Sequence, residues 1–289
     1  MYHLNRRLKT GLLAAIEAGL AILEIYNRDF MVQYKDDRSP LTLADKQSHD
    51  IIVARLSEPT DDKLPILSEE GQDISFQKRK EWDHFWLVDP LDGTKEFIKR
   101  NGEFTVNIAL IQGTRPVLGI IYVPVKEVLY FGATGVGAYK SEKPDLLTMT
   151  KDEAIKKEPA GFVNMIINRS TKLPYYSPHQ AVNDSQMTIV GSRSHPTKEL
   201  QNFVENMKKK HKSVEFISAG SSLKLCLVAE GKADIYPRLG PTMEWDTAAG
   251  QIIVEQADGS VLNSETNEPL RYNKKNLLNP WFIVRKKPS

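Results

Sequence analysis

The segment FWLVDPLDGTKEF, residues 85–97, constrains the fold more than any other part of the chain. Its apolar run, Phe85–Val88, is typical of a buried strand. The run ends in Asp89, and a second acid, Asp92, follows three residues later, across a turn that contains proline and glycine. Ionised carboxylates are costly to bury unless something offsets their charge. A strand that ends in two acids therefore indicates either a cation site or an ordinary strand-ending turn, in which Asp and Gly are common.

Acids at two other predicted element ends bear on this choice. Glu69 follows the short apolar strand LPIL, and Asp246 opens a predicted helix after YPRLGPTMEW. A lone Asp at a helix start is usually an N-cap. Mg²⁺, however, prefers oxygen ligands and keeps several waters, so it needs few carboxylates per ion, and the carbonyl of Leu91 could add another oxygen. Acids at three separate element ends favour the metal site.

The remaining chain divides into two halves, residues 1–150 and 151–289. The first half begins with two amphipathic helices, and Asp45 lies near the start of the second. The runs FTVNIALIQ, RPVLGIIYVP and EVLYFGAT predict an antiparallel meander. After residue 186 strands alternate with helices, which favours a parallel or mixed sheet. Between the halves, residues 141–187 are polar and interrupted by prolines, so we expect a surface excursion there.

Composition excludes several classes of function. The net charge is +2, which gives no strongly basic face and argues against a nucleic-acid partner. Cys226 is the single cysteine, so an internal disulfide and a cysteine-based zinc site are excluded, and a reducing compartment suits the chain. The N-terminus superficially resembles a signal peptide, but Glu17 interrupts its apolar stretch. No apolar run approaches the roughly 18–20 residues of a membrane span.

The motifs LSEEG, DPLDGTKEF and WDTAAG resemble, in this order and spacing, the three signatures of the inositol monophosphatase superfamily of Mg²⁺-dependent, lithium-sensitive phosphatases. Within it, DPLDGTKEF together with GSSLKLCLVAEG and YPRLGPTMEWDTAAGQ is similar to the CysQ-type 3′(2′),5′-bisphosphate nucleotidases. Inositol phosphatases typically have DGTTNF where this chain has DGTKEF. The resemblance covers nearly the whole chain and is weakest at residues 141–187.

The resemblance implies an α+β fold, a layered αβαβα sandwich. Its N-terminal half would carry an antiparallel sheet and its C-terminal half a mixed sheet, with the active site between them. Glu69, Asp89 and the Leu91 carbonyl would hold one Mg²⁺, while Asp89, Asp92 and Asp246 would hold the second. A third ion would bind near Glu69.

The resemblance also assigns catalytic and substrate contacts. Thr94 and Asp45 would orient and activate the attacking water. Ser221 and Lys224 lie three residues apart at a predicted helix start, and such a start with basic side chains is a sound anion site. From the sequence alone, Lys224 and Arg238 could equally be solvated surface charges. The full set of expected substrate contacts is Glu69, Asp92, Gly93, Thr94, His195, Ser221, Lys224, Arg238 and Asp246.

The activity implied is removal of the 3′-phosphate of adenosine 3′,5′-bisphosphate to give AMP, with 3′-phosphoadenylyl sulfate as a second substrate, in support of sulfate assimilation. Two alternatives stay open: a phosphatase of inositol phosphates, and a non-catalytic nucleotide or metal sensor that keeps the fold. The expected location is the cytoplasm, with peripheral association at the inner face of the cell membrane left open, as is the choice between monomer and homodimer.

Overall fold

The computed structural model describes residues 2–28, 40–58, 63–142, 158–175, 186–193 and 197–286. The helices are α1 (Tyr2–Tyr26), α2 (Pro40–Leu56), α3 (Phe76–Arg79), α4 (Thr94–Ile98), a 3₁₀ turn (Pro124–Lys126), α5 (Pro159–Asn168), α6 (Lys198–Lys210), α7 (Leu223–Glu230) and α8 (Glu244–Gln256). The strands are β1 (Ile66–Ser68), β2 (His84–Asp92), β3 (Thr105–Gln112), β4 (Arg115–Val123), β5 (Val128–Ala133), β6 (Gly137–Glu142), β7 (Thr171–Leu173), β8 (Gln186–Ser192), β9 (Ser213–Ala219), β10 (Ile235–Arg238), β11 (Ser260–Asn263) and β12 (Phe282–Arg285).

Two sheets organise these elements. The first has seven strands in the order β1 to β7, and the second has five in the order β11-β12-β10-β8-β9. The meander of β3, β4 and β5 is antiparallel, and the second sheet mixes parallel and antiparallel pairs, so both expectations are confirmed. The first sheet, expected to be antiparallel, is antiparallel from β2 to β7, but β1 runs parallel to β2. Residues 69–83 give the long connection that a parallel pair needs.

The layers follow the αβαβα order implied by the resemblance. Helices α1, α2 and α5 cover one face of the first sheet, α7 and α8 lie between the two sheets, and α6 packs on the far side of the second. The alternation of side chains along β2 explains why helices cover both faces of this sheet. Trp86 and Val88 join the core under α1, whereas Phe85 and Leu87 join the core with α8. A strand covered on both faces needs the continuous apolar run that the sequence carries.

Part of the expected surface excursion belongs to the core. Helix α5 packs against α1, and Phe162, Val163 and Ile166 are buried. The strand β7 then extends the first sheet beside β6, so residues on both sides of position 150 build that sheet. The expectation of a surface excursion is therefore wrong for residues 158–175. The helix contains a short apolar stretch, AGFVNMII, but the prolines and charged residues on both sides of it favoured a loop in the sequence interpretation. Residues 143–157 and 176–185 lie outside the described part of the chain.

Where the structure describes the chain, none of its helices combines the length and apolar character needed to cross a membrane. Helix α7 ends as the sequence predicts, at Gly231, which takes a left-handed conformation with φ of 82°. Glycine tolerates this conformation better than other residues do.

Candidate active site

A β-bulge at the end of β2 brings its two acids to one face of the sheet. In a regular strand, residues three apart point to opposite faces. Here Asp89 pairs with Asn107 and Asp92 pairs with Thr105, so β2 carries one residue more than β3 over this interval. The extra residue restores the parity of the two side chains. Asp89 and Asp92 therefore lie on the same face, as the sequence motif required.

Glu69 reaches this edge because β1 is parallel to β2. Ser68, the last residue of β1, pairs with Val88, and the amide of Glu69 donates a hydrogen bond to the Val88 carbonyl at 3.1 Å. The carboxyl ends of two parallel neighbours meet at one edge, so Glu69 stands beside Asp89. The Glu69 side chain keeps contact with solvent although part of it is buried, whereas Asp89 is only 1% exposed.

Asp246 enters from the other half of the chain, in the first turn of α8. It is the third residue of the helix and not its N-cap, which is Met243. Its Oδ2 accepts a hydrogen bond from the Met243 amide at 2.9 Å. One carboxylate oxygen thus satisfies the helix start. The other is left for the cluster.

The three carboxyl groups of Glu69, Asp89 and Asp246 offer oxygen atoms that all lie within 4.8 Å of one another. Burial, then the charges of Asp92 and Glu69, raise the pKa of Asp89 well above its usual value. Burial and the charge of Asp92 raise the pKa of Asp246 to about 7, and the pKa of Glu69 is raised for the same two reasons. The cluster is therefore short of positive charge.

Asp45 lies on α2 at the rim of this cluster. Burial, with the charges of Glu70 and Glu69, raises its pKa to about 8. On the same helix the Ser48 hydroxyl donates to the carbonyl of Pro90 at 2.7 Å, which ties α2 to the bulge. A carboxyl with a pKa of about 8 is mostly protonated at neutral pH, so it can accept a further proton there only after a nearby charge lowers that pKa.

The donor set fits a hard divalent cation. All the clustered ligands are carboxylate oxygens, which Mg²⁺ prefers, and a dication would relieve the repulsion that raises their pKa values. The Leu91 amide donates to Asp89 Oδ1 at 3.1 Å, so the bulge itself orients that carboxylate. The residues at the site thus fit the metal that the motifs indicate.

The turn after the bulge positions Thr94. Gly93 is left-handed, with φ of 99°, and a Cβ added to it would lie 3.2 Å from both the Phe104 backbone and the Ser221 side chain. This close approach explains the glycine. Thr94 follows as the exposed first residue of α4, two positions after Asp92 in the chain.

The expected phosphate contacts lie together on the C-terminal side. Lys224 is buried, and its Nζ donates to the carbonyls of Ser221 and Ala219 and lies 5.5 Å from the centre of the Tyr236 ring. Burial lowers the pKa of Lys224 to about 8, although the negative charge of Asp92 acts in the opposite direction. Its ammonium therefore braces the loop 219–221, a role that the sequence did not indicate.

One hydrogen-bond donor of the Arg238 guanidinium is unsatisfied among the described residues. Its Nη2 donates to the Pro241 carbonyl at 2.7 Å, while its buried Nε finds no hydrogen-bond partner among the described residues. Ser221 has a positive φ of 42°, and its hydroxyl donates to the Glu103 carbonyl at 2.7 Å. His195, the remaining expected contact, lies outside the described residues.

Sequence reasoning missed a set of buried polar residues behind the acids. Ser222 and Asn107 both donate to Asp92, and Thr105 donates to Asn107 at 3.0 Å. A signal was present: Asn107 interrupts the apolar run FTVNIALIQ, and a polar residue buried in a strand needs a partner. In the motif GSSLK, the sequence interpretation assigned a role to Ser221 and none to the adjacent Ser222.

Comparisons with known proteins identify the family of the chain. The model of the inositol monophosphatase family matches residues 4–281. The 3′(2′),5′-bisphosphate nucleotidases CysQ of Salmonella typhimurium and of Escherichia coli K12 are each 41% identical over 93% of this chain and 96% of their own length. The crystal structure of CysQ from Bacteroides thetaiotaomicron, a bacterial member of the inositol monophosphatase family, superposes with a TM-score of 0.86 at 48% identity and covers 98% of both chains.

Proposed function

Because the chain belongs to the inositol monophosphatase family, we propose that it is a Mg²⁺-dependent 3′(2′),5′-bisphosphate nucleotidase that converts adenosine 3′,5′-bisphosphate to AMP. The identity to CysQ nucleotidases over almost the entire chain supports this substrate class. The observation that carries the proposal is the carboxylate cluster of Glu69, Asp89 and Asp246, within 4.8 Å of one another at the junction of the two halves.

The acids at the strand and helix ends would bind the metal. Glu69, Asp89 and the Leu91 carbonyl would hold one Mg²⁺, and Asp89, Asp92 and Asp246 would hold a second, with a third ion near Glu69. The central, fully buried position of Asp89 between the other acids supports its sharing by two ions. Bound Mg²⁺ would supply neutralisation of the phosphoryl oxygens and acidification of a water.

The residues of the chain then aim the nucleophile. The Thr94 hydroxyl accepts a hydrogen bond from the attacking water and donates its own hydrogen to Asp45. The water oxygen forms a bond to phosphorus as the bond to the ribose 3′ oxygen breaks. One proton of the water ends on that leaving oxygen, which becomes the 3′ hydroxyl of AMP, and the phosphoryl group leaves as hydrogen phosphate. Catalysis in such a transfer is mostly positioning and electrostatic stabilisation.

The second phosphate of the substrate defines the specificity. Ser221, Lys224 and Arg238 form its pocket, with His195 beside the nucleotide. The buried Nε of Arg238 has no hydrogen-bond partner among the described residues, which supports an anion there, because a buried charged donor without a partner is costly. An inositol monophosphate has no second phosphate to fill this place. A sulfated nucleotide, 3′-phosphoadenylyl sulfate, keeps the 5′-phosphate and is proposed as a further substrate.

The proposal includes a role in sulfate assimilation and a cytoplasmic location, which suits a single buried cysteine.

Phosphate release from a panel of substrates tests the proposal. Adenosine 3′,5′-bisphosphate, 3′-phosphoadenylyl sulfate, AMP, inositol 1-phosphate and inositol 1,4-bisphosphate are each assayed in Mg²⁺ and in EDTA. We expect kcat/KM to be highest for adenosine 3′,5′-bisphosphate and activity to vanish in EDTA. A higher kcat/KM for either inositol phosphate would replace the proposal with the inositol phosphatase alternative, and a fold that binds nucleotide without turnover would indicate a sensor.

A further inference from the structure

Behind the metal site lies a buried hydrogen-bond network that ties Asp92 to three other elements. Its members are the main-chain and side-chain groups of Ser222 at the start of α7, the Asn107 amide on β3, and the Asp246 carbonyl on α8. Ser222 is 2% exposed and Asn107 is 1% exposed. The two halves of the chain therefore meet at one carboxylate.

Three donors of this network converge on a single carboxylate oxygen. Asp92 Oδ2 accepts from the Ser222 amide at 2.7 Å, from the Ser222 hydroxyl at 2.7 Å and from Asn107 Nδ2 at 3.3 Å. A carboxylate oxygen has few acceptor positions, and three donors use them. A cation can then approach Asp92 only through Oδ1.

The Ser222 hydroxyl is held from three sides. Its oxygen accepts from Asn107 Nδ2 at 2.7 Å, which leaves its single hydrogen for Asp92 Oδ2 at 2.7 Å or the Asp246 carbonyl at 3.0 Å. Thr105 in turn donates to Asn107 Oδ1 at 3.0 Å and sets the direction of that amide. A chain of buried bonds thus runs from β3 to the first turn of α8.

We propose that Ser222 and Asn107 are positioning residues for the metal centre, which restrict Asp92 to single-oxygen ligation and lock α8, the carrier of Asp246, to the end of β2. The inference rests on the metal site of the proposed function and not on the substrate. Groups that orient metal ligands in this way commonly change metal affinity or activity by about 10–100-fold when removed.

Direct Mn²⁺ binding tests the inference. Free Mn²⁺ is measured by electron paramagnetic resonance during titration of the wild-type protein, Ser222→Ala, Asn107→Ala and the double variant. Each single variant should raise the Kd for Mn²⁺ by about 10–100-fold. Because both donors act on the same oxygen, the double variant should lose less than the product of the two single losses.

The control is Ser141→Ala, a buried serine on β6, separated from β2 by three strands of the same sheet. It should keep the wild-type Mn²⁺ affinity even where urea unfolding shows an equal loss of stability. Wild-type Mn²⁺ affinity in either folded single variant overturns the proposal, as does an equal loss of affinity in Ser141→Ala. Should one single variant fail to fold, the other decides. Weakened Mn²⁺ binding in a protein that hydrolyses no nucleotide would refute the proposed function and leave this inference standing.

Discussion

Without metal, the stability of this protein should fall as the pH rises from 5 to 7. Burial and the charge of Asp92 raise the pKa of Asp246 from 3.8 to about 7 in the folded protein, while an unfolded aspartate ionises at its ordinary pKa. Between these values the folded chain holds a proton that the unfolded chain has released. Rising pH therefore favours unfolding across this window, and below pH 4 the penalty disappears.

The magnitude follows from this one group. Folding takes up nearly one proton at pH 5 and about half a proton at pH 7, so the free energy of unfolding falls by about 2 kcal/mol over the interval. The raised pKa values of Glu69 and Asp89 act in the same direction. These acids repel one another, so their contributions do not simply add.

Urea unfolding at pH 5, 6 and 7, in EDTA and in excess MgCl₂, measures this change. The matched variant is Asp246→Asn, whose amide oxygen can still accept the hydrogen bond from the Met243 amide. In EDTA, the wild type should lose about 2 kcal/mol more than the variant between pH 5 and pH 7. Mg²⁺ should stabilise the wild type more at pH 7 than at pH 5, because it binds the ionised acids. Parallel pH profiles of the two proteins in EDTA would refute the reasoning.

Three further predictions concern catalysis. Asp89→Asn should abolish nearly all turnover while the fold is kept, because Asp89 is proposed to be shared by two ions, and more than a tenth of the wild-type rate at saturating Mg²⁺ would refute this bridging role. Li⁺ should inhibit uncompetitively with respect to the nucleotide, in steady-state kinetics at fixed Mg²⁺, and competitive inhibition would contradict this. Lys224→Ala and Arg238→Ala should each lower kcat/KM for adenosine 3′,5′-bisphosphate by about one to two powers of ten, because a charge-assisted hydrogen bond contributes roughly 1.5–3 kcal/mol, yet hardly change the hydrolysis of adenosine 3′-monophosphate. Equal losses on both substrates would instead assign these side chains to the fold or the metals.

The sequence predicts much of the fold because its patterns are local. The apolar runs of the meander, the first helix and the Gly231 helix end each depend on residues close in the chain, and the structure has them all. The direction of β1 is not a local property, because it depends on where residues 69–83 cross the sheet. The sequence did not predict helix α5 for a related reason. Its apolar stretch is short, and its burial depends on the contact with α1, which is distant in the chain.

The candidate site shows the same division. Acids at element ends indicate the metal cluster, and the structure brings Glu69, Asp89 and Asp246 together from three distant segments. The bulge that aligns Asp89 with Asp92 depends on pairing with β3 and cannot be read from β2 alone. The Ser222 bond to Asp92 likewise arises only when the halves pack together.

The product formed from adenosine 3′,5′-bisphosphate decides whether this protein removes the 3′-phosphate. Phosphorus NMR of the reaction mixture distinguishes AMP from adenosine 3′-monophosphate and detects inorganic phosphate in the same spectrum. We expect AMP and one equivalent of phosphate in the presence of Mg²⁺, and unchanged substrate in EDTA. Formation of adenosine 3′-monophosphate, or equal turnover in EDTA, would contradict this expectation.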